Sequence, residues 1–189
     1  GEVVMKQNLV IGMVVGAMML VALPTLAQES AAVRGKPCGI EGTWYGTNTG
    51  GFNFVFRMEK NAAGGYSMVA DGFGYLPTGD EYCINSSAWH GELAKIGPKT
   101  YRFRQLELCD PTPEFLVFVD LYLGVTIDPG TILLWGSEGT LTLQGCNQVE
   151  ADIPFNGAYE WGSGAVPFDD LPIVEFGYIT GLFDRMPRP

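Results

Sequence analysis

The sequence predicts an all-β protein, an antiparallel meander that closes into a single barrel of about eight strands. Three observations carry this expectation. Apolar side chains recur at every second position through most of the chain after Gly42. Turn residues interrupt these runs at short intervals, with 26 glycines and 12 prolines in 189 residues. No window of about a dozen residues has convincing helical spacing.

Phe52, Phe54, Phe56 and Met58 alternate with Asn53, Arg57 and Glu59, giving a strand with one apolar face and one mostly wet. Asn61-Ala62-Ala63-Gly64-Gly65 is a loop, after which Tyr66, Met68 and Ala70 resume the apolar phase. Pairing Lys60 with Gly64 sets Met58 opposite Tyr66 and Phe56 opposite Met68, so the two apolar faces coincide. Residues 74–85 read as a polar connection. In a second hairpin Trp89, Gly91 and Leu93 share one face, Gly97-Pro98 turns, and Tyr101 and Phe103 continue inward. Leu106 and Leu108 are even-numbered, so the phase slips, and a β-bulge near Gln105 is expected.

The strongest strand is expected over residues 115–127. Phe115, Val117, Val119, Leu121, Leu123, Val125 and Ile127 take one face; Leu116, Phe118, Asp120, Tyr122 and Thr126 take the other. Asp128-Pro129-Gly130 is a turn, since Pro sets the first central angle and Gly takes the left-handed one. Residues 131–135 and 140–145 return with Leu133, Trp135, Leu141 and Leu143 in phase, and Gly136-Ser137-Glu138-Gly139 is read as a turn between two short strands. Residues 145–157 hold one more short extended piece and 162–172 a loop. Residues 174–185 form the last strand, with Phe176 and Tyr178 in phase.

Ahead of the barrel, residues 1–27 read as a secretory signal peptide with four upstream residues. Lys6 supplies the positive start, residues 9–23 the apolar run, and Thr25-Leu26-Ala27 the small residues a signal peptidase reads. The run is too short for a membrane span, which takes roughly 20 apolar residues. Residues 28–37 then form a flexible leader and 38–189 the barrel domain. No cysteine lies just after the expected cleavage site, so a bacterial lipid anchor is not expected. The expected location is secreted or periplasmic.

The formal net charge is −10, which repels phosphate backbones and anionic lipid and argues against nucleic-acid binding. Its plain reading is solubility. The four cysteines, Cys38, Cys83, Cys109 and Cys146, form an even set with no C-x-x-C spacing, so two structural disulfides are expected and no metal site. A hairpin centred near Gly97 pairs residues whose numbers sum to about 192–194. That brings Cys83 to Cys109 and leaves Cys38 to Cys146, one of three possible connectivities.

His90 is the single histidine. With Trp89 inward it points out, across the hairpin from Arg102, in a polar ladder with Glu92 and Arg104, so no catalytic residue is assigned to it. Asp71, Glu107, Asp120, Glu160, Asp169 and Asp170 are enough carboxylates for acid–base chemistry, yet no spacing holds two of them across a cleft. Asp120 interrupts an apolar run and reads as an outward, solvated group. Asp169-Asp170 lacks an ordered series of calcium ligands. Asn85-Ser86-Ser87 is a glycosylation sequon, meaningful only where the source modifies such sites.

Cys38-Gly39-Ile40-Glu41-Gly42-Thr43-Trp44-Tyr45 resembles the Gly-x-Trp opening of lipocalins and the wider calycin β-barrels. The resemblance implies that Trp44 closes one end of the barrel, with Arg185 from the last strand against it. It also implies a small apolar ligand in the lumen, bound without catalysis and without a cofactor. Phe54, Phe56, Trp89, Phe103 and Trp135 are the expected lining, although the plain reading of these rings is that they fill the core. Two alternatives stand beside it. One is a calycin-type cyclase acting on a lipid-derived substrate, which needs an inward polar group. The other is an interaction module docking through Leu116, Phe118 and Tyr122.

Overall fold

The computed structural model describes residues 38–76 and 78–187, of Phe73 the backbone alone; the signal peptide and leader expected over residues 1–37 lie outside these. The strands are β1 Gly42–Asn48, β2 Phe52–Lys60, β3 Tyr66–Gly74, β4 Cys83–Ser86, β5 Trp89–Lys95, β6 Thr100–Pro111, β7 Leu133–Gln144, β8 Gln148–Glu160, β9 Val174–Phe176 and β10 Ile179–Arg185. A helix, α1 Pro113–Leu123, joins β6 to β7. Eight strands close a ring in the order β1-β2-β3-β5-β6-β7-β8-β10, with β10 returning to β1 and every pairing antiparallel. β4 extends the sheet beside β6, and β9 beside the second half of β8. Closure removes the long unpaired edges that an apolar meander would otherwise expose.

The β2–β3 register is Met58↔Met68 and Phe56↔Ala70, displaced by two residues from the expected pairing. The loop is therefore residues 61–65, closed by Asn61 N–H on the Gly65 carbonyl and Gly64 N–H on that of Asn61. A shift of two keeps every side chain on its face, so the core assignment survives the error.

In β6 the expected bulge is absent. The β5–β6 register runs unbroken from Lys95↔Tyr101 through Gly91↔Gln105 to His90↔Leu106. Tyr101, Phe103, Gln105, Glu107 and Cys109 are consequently all buried, while Leu108 is exposed. Two polar residues thus enter the interior, and the irregularity falls on β4 instead, between Cys83 and Asn85.

The strand expected over residues 115–127 is α1 and its exit. Thr112 caps it, Oγ1 accepting from Phe115 N–H at 3.1 Å and donating to the Glu81 carbonyl at 2.7 Å. Pro113 occupies the first turn, and Gly124 ends the helix in the left-handed region at φ 67°. Phe115 and Val119, spaced i and i+4, are fully buried, whereas Val117, Leu121 and Tyr122 are exposed. Thr112→Ala removes a cap and should cost about 1–2 kcal/mol, read as a lower urea midpoint.

Asp128-Pro129-Gly130 makes the expected turn: Thr131 N–H reaches the Asp128 carbonyl at 3.1 Å, with Gly130 at φ 88°. Gly136–Gly139 does not turn. It lies within the continuous β7, whose register against β8 shifts between Glu138 and Thr140. A Cβ on Gly139 would lie 2.2 Å from the Asp152 carbonyl oxygen, so glycine lets the strand kink there. β8 is 13 residues, longer than the piece expected, and the last strand breaks at Gly177-Tyr178 into β9 and β10. The inward phase changes across that break, from Val174 to Ile179 and Phe183, leaving Tyr178 exposed.

The lower end, where β1 begins and β10 finishes, is stoppered. Trp44 is fully buried, its Nε1 donating to the Ile40 carbonyl at 2.9 Å, and the Arg185 guanidinium lies 4.3 Å over its ring. Arg185 also donates to the carbonyls of Glu41 and Gly39, and Cys38 is bonded to Cys146 in the β7–β8 turn.

Candidate functional site

All five expected lining residues occupy inward positions: Phe56, Trp89, Phe103 and Trp135 are buried and Phe54 half-buried. Phe54, Phe56 and Phe103 fill the middle of the barrel, whereas Trp135 and Trp89 each border a separate cleft. The cavity between Phe54, Phe56, Met68, Phe103, Gln105 and Phe183 measures about 30 Å³, room for about two waters. Phe56 meets Phe183 edge-on at 4.8 Å and Phe54 meets Trp89 at 6.3 Å.

The two clefts lie at the other, upper end, among rings that Phe115 of α1 packs against. Phe52 and Tyr82 stack with ring centres 5.0 Å apart and planes at 6°, and the pair lines both clefts. The first, about 210 Å³, is lined by Trp135, Asn156, Phe176 and Ile179 as well as by the pair. Trp135 stacks on Phe176 at 5.0 Å, and Phe115 of α1 packs on Tyr82, Trp135 and Phe176. At this cleft Asn156 Oδ1 accepts from Trp135 Nε1 and from Ser137 Oγ. Both bonds fall on the oxygen, which fixes the amide's orientation and leaves its two N–H donors for a ligand.

The second cleft, about 190 Å³, is lined by Trp89, Glu107, Ser86 and Glu81 together with the Phe52–Tyr82 pair. Glu107 is 7% exposed and lies opposite Trp135 on β7. Burial pushes its carboxyl from 4.5 up to about 7, a hydrogen bond with Ser86 opposing the rise. Burial also raises the Tyr82 hydroxyl. Gly72 and Gly74 of β3 belong to this cleft; a Cβ on them would fall 2.3 Å from the Phe54 ring and 2.1 Å from that of Phe52. These glycines let both rings lie across β3, the one use of Gly here that a Phe-x-Phe strand paired with a Gly-x-Gly strand could have signalled.

Other expected residues lie away from these clefts. His90 is exposed, but its partners are Val69 and Leu106 rather than Arg102; Arg104 pairs with Glu92 across the strands and bonds Glu138 at 2.6 Å. Asp120 is exposed on α1, not on a strand, and accepts from Thr126 Oγ1 at 2.7 Å. Leu116, Phe118 and Tyr122 are likewise helical, the first two half-buried. Asp71, Glu160, Asp169 and Asp170 are exposed, and Asp170 holds the Val166 N–H within its own loop. Cys83 is bonded to Cys109 beside the second cleft, and the two disulfides fit an oxidising, non-cytoplasmic compartment.

No protein-family model matches this chain, and no curated protein does. Among solved structures, that of EF1p2_mFAP2b bound to DFHBI is similar at 16% identity and a TM-score of 0.44, over 77% of this chain and 93% of that one.

Proposed function

We propose that this chain is an exported, lipocalin-like binding protein that holds a small, neutral, largely apolar molecule without transforming it, in the first upper cleft rather than the mid-lumen. The observation that carries the reading is the contrast in room. The middle of the barrel is packed to about 30 Å³, whereas the first cleft offers about 210 Å³ walled by Trp135, Tyr82, Phe52 and Phe176. Aromatic walls with one fixed amide suit a flat apolar body carrying a single acceptor. The Trp44–Arg185 stopper at the opposite end supports the lipocalin-like assignment, and the disulfides support an exported location, which on this reading follows cleavage near Ala27.

The test is titration with N-phenyl-1-naphthylamine, a neutral dye that brightens in apolar sites. Saturable binding of one dye per chain is expected, weakened about tenfold by Phe176→Ala, since losing one aromatic wall removes roughly 1–2 kcal/mol of contact. Phe176 is only half-buried, so the variant spares the sealed core. Unsaturable binding by the parent protein, or equal affinity in the variant, would overturn the reading.

A second reading, the calycin-type cyclase, is favoured by one observation: Glu107 is the inward polar group it requires. Incubation with an unsaturated fatty-acid derivative separates the two, because catalysis consumes many equivalents and binding stops at one.

A further inference from the structure

We propose that the second upper cleft is a binding site for a small organic ammonium ion, seated among the rings of Phe52, Tyr82 and Trp89 with Glu107 as its counter-charge. This goes beyond the neutral-ligand reading, concerns the other cleft that the Phe52–Tyr82 pair lines, and stands without it.

The lining carries the argument. Three aromatic rings line it, Phe52, Tyr82 and Trp89, and aromatic surface attracts a desolvated cation more than a neutral body of the same shape. Two carboxylates reach the same space, Glu107 buried and Glu81 exposed, and among the described residues lining the cleft none is Lys, Arg or His.

A carboxyl enclosed without a cationic neighbour is an expensive residue for a core. A ligand that supplies the missing charge gives it a use. The chain's net charge of −10 raises the local concentration of cations and speeds their arrival.

Protonation follows from the same arrangement. The groups that surround Glu107 are Glu81, Tyr82 and Ser86 from the β3–β4 connection and β4, Trp89 from β5 and Trp135 from β7, of which only Glu81 and Tyr82 titrate. Tyr82 is pushed further up and stays neutral, and Glu81 is open to water. A cation selects the ionised form of Glu107, so affinity should climb as pH rises through about 7 and a proton should leave on binding below it.

The probe is choline, compared with its neutral isostere 3,3-dimethylbutan-1-ol by calorimetry on the folded, disulfide-bonded protein. Choline should bind at least about tenfold more tightly than the isostere. Its affinity should rise by about tenfold or more from pH 5.5 to 8, and Glu107→Gln, which keeps the shape, should lower it about tenfold at pH 8. Equal affinity for choline and the isostere, or an unchanged affinity in the Gln variant, would overturn the proposal. The naphthylamine titration with Phe176→Ala reads the first cleft, so either site can fail alone.

Discussion

Glu107→Gln is expected to make the barrel more stable at neutral and alkaline pH. In the folded chain burial raises the Glu107 carboxyl to about 7, against 4.5 when it is free in water. The folded state therefore holds its proton more tightly than the unfolded state does. Below about pH 4.5 both states are protonated and the group contributes no pH-dependent term. Between about 4.5 and 7 the unfolded chain ionises first and stability falls. Above about 7 the whole penalty is present, about 3 kcal/mol from the cited shift. Glutamine never ionises, so the variant should exceed the parent by about that amount at pH 8 and match it near pH 4.5. The other carboxylates titrate equally in both proteins and cancel in the difference. Urea unfolding at the two pH values makes the comparison. A variant no more stable at pH 8, or a gap that widens toward acid, would show that Glu107 does not bear this penalty.

That same residue marks where reading the sequence by hydrophobicity stops working. Tyr101 and Phe103 point inward, and the next inward positions are Gln105 and Glu107. A rule that seats apolar residues inside must invent a phase slip there to bring Leu106 and Leu108 in. The chain instead keeps strict alternation and buries the polar pair, with Gly91 standing opposite Gln105. Breaks of this kind in an otherwise consistent pattern are where sites are to be sought.

Residues 115–127 failed for a different reason. Apolar residues on every side of α1, exposed Val117 and Leu121 included, erase the helical period and leave an apparent two-residue repeat. The discriminating signals were at the ends: Thr112-Pro113 before the run and Gly124 within it, a cap, a first-turn proline and a left-handed terminator. A strand of that length would also have crossed the left-handed Gly124. The alternation of β2 and the ring of about eight strands were legible, because they depend on parity, whereas the pairing of Trp44 with Arg185 came only from the likeness of the Gly-x-Trp opening to lipocalins. The clefts were not. Their walls come from β2, β5, β6, β7, β8, β9 and the β3–β4 connection, segments far apart in the sequence.

The lumen and the mouth differ in how they are packed. The lumen's rings pack against one another and supply rigidity, so the aromatic count speaks first to stability. At the mouth the polar residues Asn156 and Glu107 each stand beside rings that α1 and the β3–β4 connection hold in place. The polar groups beside open clefts therefore stand at the end where α1 packs, and at the far end Trp44 is fully buried.

Replacing both Cys38 and Cys146 with Ser is expected to be the most costly change to that closed end. The bridge spans 108 residues, and in the chain-entropy model a loop of this length restrains the unfolded chain by about 4–5 kcal/mol. For a domain of this size the loss corresponds to a melting point lower by about 10–20 °C. The second bridge, Cys83–Cys109, spans 26 residues and should be worth about 1 kcal/mol less by the same reasoning. Its pairing was expected from hairpin arithmetic, yet the geometry that makes it is another. The β5–β6 pairs sum to 196, and Cys83 arrives on β4, a separate strand whose register shift brings Ser86 opposite Cys109. The ranking is testable by calorimetric melting of the two double-serine variants. If the Cys83/Cys109 variant melts lower, native packing beside the second cleft outweighs loop entropy, since Cys109 is fully buried there while Cys38 is exposed. If neither variant melts below the parent, the bridges close a ring that its strand pairings already hold shut.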